Sequence, residues 1–170
     1  EVPFDLMYGG TAFYPVHQNV IWTLLLGLLG IRLMEAARAK GKRWLYVLTC
    51  AAVVELGFAL GTLGMVDYYG AGVLTVFAFY FFRERKWWCL LGQLAALYWL
   101  NVVVLGGQMY PVTLFGREIE LCEQGLALLA LVPIWLYRGR QGHHSKAFQY
   151  ACYAFYPVHM LILGLVQLSL

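Results

Sequence analysis

The sequence predicts an all-α fold, a polytopic bundle of about six transmembrane helices that forms one domain over residues 1–170. Hydrophobic residues make up 62% of the chain and charged residues 12%, whereas a soluble protein carries about 25% charged residues. A chain of 170 residues with this balance cannot hide its apolar side chains in one water-soluble core. The charged residues also cluster between apolar segments, which is the arrangement typical of membrane-spanning chains.

Six apolar segments follow one another along the chain. We expect spans near Asn19–Leu33, Trp44–Met65, Tyr68–Phe82, Trp87–Leu105, Ile119–Tyr137 and Ala147–Leu168. A span needs about 20 helical residues, and most of these segments approach that length. The third is short, so we expect the bilayer to thin there, or the outer end of the segment to dip, which would draw Asp67 and Tyr68 towards the membrane.

The basic residues indicate an orientation. All Lys and Arg residues except Arg117 lie after the first, third or fifth segment, in the connections that contain Arg38, Arg83 and Arg138. The positive-inside rule places these three connections in the cytoplasm and both ends of the chain outside. His143 and His144 belong to the third connection, where we expect solvent or lipid headgroups around them.

The amino terminus differs from a signal peptide. Residues Glu1 to Asp5 lack a basic start and an apolar core, and there is no initial methionine. We therefore expect this chain to be the later part of a longer protein. Asp5 is an isolated carboxylate that we expect to face solvent.

The six letters AFYPVH occur twice, ending at His17 and at His159. The first copy leads into Gln18 and Asn19 at the outer end of the first segment, where helix capping is the favoured interpretation. The second copy lies within the last segment, with Tyr156 and His159 on one helical face. An imidazole there is either an interhelical hydrogen-bond donor or a general base, and the sequence favours neither.

Glu55 lies near the centre of the second segment. An unpaired carboxylate is costly in a membrane, so we expect Glu55 to face protein or a wet cavity. Gly57 and Gly61 form a GxxxG pair on the other side of that helix and predict close approach of a neighbour.

Metal and nucleic-acid sites have little support in the sequence. The four cysteines lie on four segments without a CxxC pair, so we expect free structural thiols. No basic groove with interleaved aromatic residues is present, so we expect no nucleic-acid partner. The lipid bilayer is the expected environment, and the oligomeric state stays open.

Several short motifs resemble those of the TraX family of membrane acetyltransferases. They are Glu1 to Leu6, Gln18-Asn19-Val20, Asp67-Tyr68 and Phe155 to His159, and the similarity extends over essentially the whole chain. The family is named for a membrane protein that acetylates the amino terminus of conjugative pilin. It is similar to the larger membrane acyltransferase superfamily, family three, whose Tyr-x-x-His motif is matched by Tyr156 to His159.

The resemblance implies an acyltransferase in the bacterial cytoplasmic (inner) membrane. Acetyl-CoA would be the acyl donor without any bound cofactor, and the acceptor would be an amine or hydroxyl of an external or membrane-associated glycan, peptide or lipid. The implied catalytic residues are His159, His17, Glu55 and Asp5, and the implied substrate-binding residues are Tyr156, Gln18, Asn19, Asp67 and Tyr68. Such proteins usually begin with further helices, the first of which carries an Asp-His pair that is the best candidate for the catalytic base, and nothing in this chain matches that pair.

A different class of function also fits the same residues. A small membrane transporter or assembly factor would use Glu55 and His159 as proton-relay groups within the spans. Use of acetyl-CoA distinguishes the two hypotheses, because a transporter of this kind would not bind it.

Overall fold

The computed structural model describes residues 1–114, 116–137, 139–140, 142 and 145–169. The elements are helices α1 (Val2–Gly9), α2 (Val20–Ala39), α3 (Arg43–Leu63), α4 (Tyr69–Phe81) and α5 (Trp87–Tyr98), the π-helix Trp99–Leu105, strands β1 (Met109–Leu114) and β2 (Arg117–Cys122), the 3₁₀ helix Glu123–Ala130, and helices α6 (Leu131–Leu136) and α7 (Lys146–Ser169). Helices dominate, so the predicted all-α class is confirmed. The described residues do not include Arg138, His143 and His144, which the sequence places in a basic connection.

Four helices in the described ranges are long and apolar enough to cross a membrane. They are Val20–Ala39, Arg43–Leu63, Trp87–Leu105 and Lys146–Leu168. Shorter apolar helices, Tyr69–Phe81 and Glu123–Leu136, occupy the places of the third and fifth predicted segments. The length and apolar character of these helices are therefore those of a membrane protein. The count of six spans stays a prediction.

Helix α2 begins at a side-chain cap. The Asn19 side-chain oxygen accepts a hydrogen bond from the Ile21 backbone N–H at 2.8 Å, and caps of this kind stabilise a helix by about 1 kcal/mol. At the other end, Gly41 has a φ of 69° and lets the chain turn into α3. Capping, the favoured interpretation for this polar cluster, is confirmed for Asn19.

Glycines allow α3 and α4 to pack closely. A Cβ on Gly61 would lie 2.9 Å from the Cα of Gly70, and one on Gly57 would lie 2.7 Å from the Phe77 ring. Neither position has room for a larger residue, so the close approach predicted from the GxxxG pair is confirmed. A buried core between α2, α3 and α4 surrounds this contact and consists of Met34, Val53, Val66, Val73, Phe77 and Tyr80.

The fifth predicted segment is not one helix. Strand β1 pairs with β2 in an antiparallel hairpin, with Val112 opposite Ile119 and Gly116 at a φ of 77° next to the turn. Polar and apolar residues alternate from Glu118 to Leu121, which is the period of a strand, and this local pattern prevails over the apolar composition of the segment. Helical structure starts only at Glu123, and Pro133 lies in the first turn of α6, where its missing N–H is tolerated.

The last helix rests mainly on the first. Helix α7 packs against α1, and a Cβ on Gly164 would lie 3.1 Å from the Met7 backbone nitrogen. Most other side chains of α7 are exposed. The amino-terminal helix therefore fixes the position of the second AFYPVH copy.

Candidate active site

The first AFYPVH copy is held against the connection between α3 and α4. The Gln18 backbone N–H donates to the Met65 carbonyl at 2.9 Å, and Gln18 and Val66 form a parallel β-bridge. The Gln18 side chain donates to the Pro15 carbonyl at 3.1 Å. These bonds fix His17 next to residues more than forty positions away in the sequence.

The connection itself has an unusual backbone. Met65, Tyr68 and Tyr69 have φ angles of 48°, 59° and 51°, a left-handed conformation that costs a residue with a side chain about 1–2 kcal/mol. Strained backbone of this kind clusters at functional sites when the surrounding structure enforces it. Here the Thr23 hydroxyl donates to the Asp67 carbonyl at 2.8 Å and helps to hold the turn.

This turn brings Asp67 to His17. The His17 Nε2 and Asp67 Oδ1 atoms are 3.6 Å apart, and the two side chains are 15% and 19% exposed. The separation is slightly longer than a hydrogen bond, as catalytic pairs often are without substrate. Burial raises the pKa of the Asp67 carboxyl, and the neighbouring imidazole partly offsets that rise.

Aromatic rings surround the imidazole. The His17 ring lies 5.7 Å from Phe4, 5.0 Å from Tyr8 and 5.8 Å from Tyr69, measured between ring centroids. Phe4 and Tyr8 lie on α1, so three separate parts of the chain build the environment of one histidine. Tyr8 and Tyr69 had no role in the sequence-based hypotheses, because the clustering depends on contacts across the fold.

The pair opens into a cavity of about 740 Å³. Its lining includes four tyrosines (Tyr8, Tyr14, Tyr68, Tyr69), the His17–Asp67 pair, and Glu123 and Gln124 from the start of the 3₁₀ helix. Asp67 and Tyr68 were both predicted to bind substrate, and they line the same cavity. Their roles in binding stay predictions.

Tyr156 borders a second cavity, of about 420 Å³, between α1, α2 and α7. Its hydroxyl is buried and forms no well-aligned hydrogen bond with the described residues, although the Val20 backbone N–H lies beside its oxygen. Glu1 and Asn19 line the same cavity. The hydrogen of this hydroxyl has no acceptor among the described residues, and a bound ligand could accept it.

The His159 side chain contacts residues of its own helix. Its Nδ1 lies 2.9 Å from the Phe155 carbonyl oxygen, and its ring stacks on Phe155 and meets Tyr156 edge-on. This hydrogen bond requires hydrogen on Nδ1 and leaves Nε2 as an acceptor. Within the described ranges, no ion pair or ring contact joins His159 to the His17–Asp67 pair.

Glu55 does not face the protein interior as expected. It is exposed on α3, and no hydrogen bond or ion pair reaches it from the described part of the chain. The close packing of Gly57 on α4 sets the rotation of α3, and a residue two positions earlier then points about 160° away. No chain of hydrogen bonds among the described residues connects Glu55 with His159.

Asp5 also differs from its expectation. The sequence predicts a solvent-facing carboxylate, but Asp5 is only 4% exposed and is buried on α1 beside Phe4. The reason is that residues 2–9 form a helix packed on α7 instead of a free terminus. Its catalytic role stays a prediction.

Metal ligands do not gather in the described residues. No group of three or more His, Cys, Asp or Glu side chains is placed there to hold an ion. The cysteines Cys50, Cys89, Cys122 and Cys152 are free thiols in separate elements. The chemistry of the site therefore has to be argued from its imidazole, carboxylates and tyrosines.

Comparison with known proteins gives one family. The family model described as TraX protein matches residues 1–167 of this chain. No curated protein and no solved structure matches it.

Proposed function

The chain belongs to the TraX family, and we propose that it is a membrane-embedded acyltransferase that moves an acetyl group from acetyl-CoA to an amine or hydroxyl. The observation that carries the proposal is the His17–Asp67 pair, which lies within a tyrosine-lined cavity of about 740 Å³. An imidazole beside a carboxylate is the arrangement by which many enzymes deprotonate a nucleophile.

In direct transfer, the acceptor oxygen or nitrogen attacks the thioester carbonyl while the His17 imidazole takes its proton. The tetrahedral intermediate collapses, the carbon–sulfur bond breaks, and the imidazolium returns the proton to the leaving thiolate. Asp67 stabilises the imidazolium that exists between these two steps. In relayed transfer, the same pair acts after an acyl group has first been passed to the protein.

Tyrosine hydroxyls would stabilise the oxyanion. Tyr8 and Tyr69 lie against the imidazole, and Tyr156 borders the cavity between α1, α2 and α7. Burial raises the pKa of Tyr8, so that its hydroxyl keeps its proton and can donate. Removing one such donor typically slows acyl transfer by about 100- to 1,000-fold.

The phosphates of the donor would bind at the other end of α2. Arg38 and Arg83 approach the Glu35 carboxylate at 3.6 and 3.3 Å and line a cavity of about 220 Å³. Guanidinium groups bind phosphates well, and the positive-inside rule would place this end in the cytoplasm, where acetyl-CoA is available. Helix α2 is about 30 Å long, so the acyl group has to cross most of the bundle to reach His17.

Purified protein in vesicles would test this proposal. With acetyl-CoA on the side of the basic connections, we expect release of the CoA thiol that depends on an added amine acceptor. Asp67→Asn should slow the release at least tenfold, whereas Glu118→Gln, which neutralises an exposed carboxylate on the hairpin, should not change it. Mass spectrometry of cells with and without the gene should show an acetyl group that is lost. The absence of both signals would contradict the proposal.

A further inference from the structure

A further cavity adjoins the one that contains His17 and Asp67. Its volume is about 340 Å³, and Tyr68, Leu105 and Gln124 line both cavities. The cavity that contains His17 and Asp67 is therefore separated from this groove by no more than these three side chains.

The groove follows one face of α4. Tyr68, Gly72, Val76 and Phe79 line it at helical spacing, over about 16 Å of helix rise. The π-helix and the 3₁₀ helix form the facing wall. Helix α2 and the Trp87–Leu105 helix, both long and apolar enough to span a membrane, contribute to the walls, so the groove lies at the depth of lipid hydrocarbon.

Two of the polar side chains along the groove are already hydrogen-bonded. The Thr75 hydroxyl donates to Ala71 at 2.9 Å, and the Asn101 amide donates to Leu97 at 2.9 Å. Each of these bonds ends on a backbone carbonyl of the residue's own helix, as is common for such side chains in apolar surroundings. The surface left for a ligand is mostly aliphatic and aromatic, which suits a hydrocarbon chain.

Because the apolar groove adjoins the polar cavity, we infer that the acceptor is a lipid-linked amine or alcohol, whose hydrocarbon chain lies in the groove while its nucleophilic head lies beside His17 and Asp67. This inference depends on the proposed acyl transfer only for the position of the nucleophilic head. The binding of the hydrocarbon chain in the groove does not depend on it. Each CH₂ group buried along the groove should strengthen binding by about fourfold, until the groove is filled.

Transfer to two amines of different length would test the groove in the complete protein. Hexadecylamine and butylamine are added separately to phosphatidylcholine vesicles that contain the protein and acetyl-CoA. Ala127→Trp, which fills the groove, should raise the KM for hexadecylamine at least tenfold and change that for butylamine less than twofold. Ala130→Trp is a second groove variant, and Ala52→Trp on the exposed face of α3 is the matched control with no effect. Each amine is compared between variants and not with the other amine. Its partitioning into the bilayer is then the same in every measurement and does not affect the comparison.

Photolabelling provides a measurement that does not need catalysis. A diazirine-bearing hexadecylamine should label α4 and the 3₁₀ helix, and Ala127→Trp should reduce that labelling about tenfold. Equal labelling of all lipid-facing helices, or labelling that unmodified hexadecylamine does not displace, would overturn the inference. Groove-specific labelling without acetylation of either amine would support the binding site and contradict the proposed transfer.

Discussion

His17 and His159 occupy the same place in two copies of one six-residue sequence, but their surroundings differ. His17 faces Asp67 across 3.6 Å in a cavity shared by several elements, whereas His159 is hydrogen-bonded to the Phe155 carbonyl of its own helix. The identical letters therefore do not imply identical roles. Contacts from distant parts of the chain decide which imidazole can act on a bound acceptor.

Replacing the two histidines separately should show this difference. We expect His17→Ala to lower kcat/KM for acetyl transfer by about 100- to 10,000-fold, the usual contribution of a general base. His159→Ala should cost less than His17→Ala, since it removes a contact within one helix. Steady-state CoA release by both variants in the same vesicles provides the measurement. A larger loss on changing His159 would make the second copy the site of proton transfer.

The raised pKa of Asp67 predicts how stability depends on pH. Burial raises this pKa above its ordinary value of 3.8, so the folded state binds more protons than the unfolded state between the two values. The free energy of unfolding should therefore fall as pH rises through that window, and Asp67→Asn should remove this fall. Thermal unfolding of the parent protein and of the Asp67→Asn variant in detergent, between pH about 4 and about 7, measures this pH dependence. A variant that loses stability relative to the parent as pH rises would contradict the account.

At the scale of elements, the α3–α4 hairpin controls the site, because its connection contains Asp67 and its packing depends on glycine. Gly61→Ala would place a Cβ 2.9 Å from backbone atoms of α4. We expect a loss of stability of about 1–3 kcal/mol, as is typical of overpacking, together with weaker acetyl transfer as the connection shifts. Gly125→Ala, where the nearest neighbour is at 3.5 Å, should change stability by less than about 0.5 kcal/mol. Equal unfolding temperatures for the two variants would be evidence against this packing.

The elements also show what the sequence predicts and what it misses. Apolar length and GxxxG spacing were enough for α2, α3, the Trp87–Leu105 helix and α7. The hairpin was missed because overall hydropathy outweighed the two-residue alternation from Glu118 to Leu121. The His17–Asp67 pair was beyond prediction, since a β-bridge between Gln18 and Val66 and three left-handed residues create it.

At the scale of the whole molecule, the site and the basic residues lie at opposite ends of the bundle. His17 and Asp67 adjoin the start of α2, whereas Arg38 and Arg83 meet at Glu35 near its end. This separation agrees with an enzyme that takes its donor from one side of the membrane and its acceptor from the other. It also requires the connections to be oriented as the positive-inside rule predicts.

Labelling in intact cells should establish that orientation. In a cysteine-free background, Thr113→Cys on the hairpin should react with a membrane-impermeant maleimide. Lys40→Cys, in the connection between α2 and α3, should react only after the cells are opened. Both side chains are exposed, so a difference in labelling reports the side of the membrane. The reverse pattern would place the basic connections outside.

The central claim is that His17 and Asp67 act as one unit in acyl transfer, and a double-mutant cycle on kcat/KM tests it most directly. Residues that share one proton transfer have strongly non-additive effects. We predict that the variant with both His17→Ala and Asp67→Asn is no slower than His17→Ala alone. If the two substitutions act independently, the fold-loss of kcat/KM in the double variant equals the product of the two single losses. That result would contradict the claim.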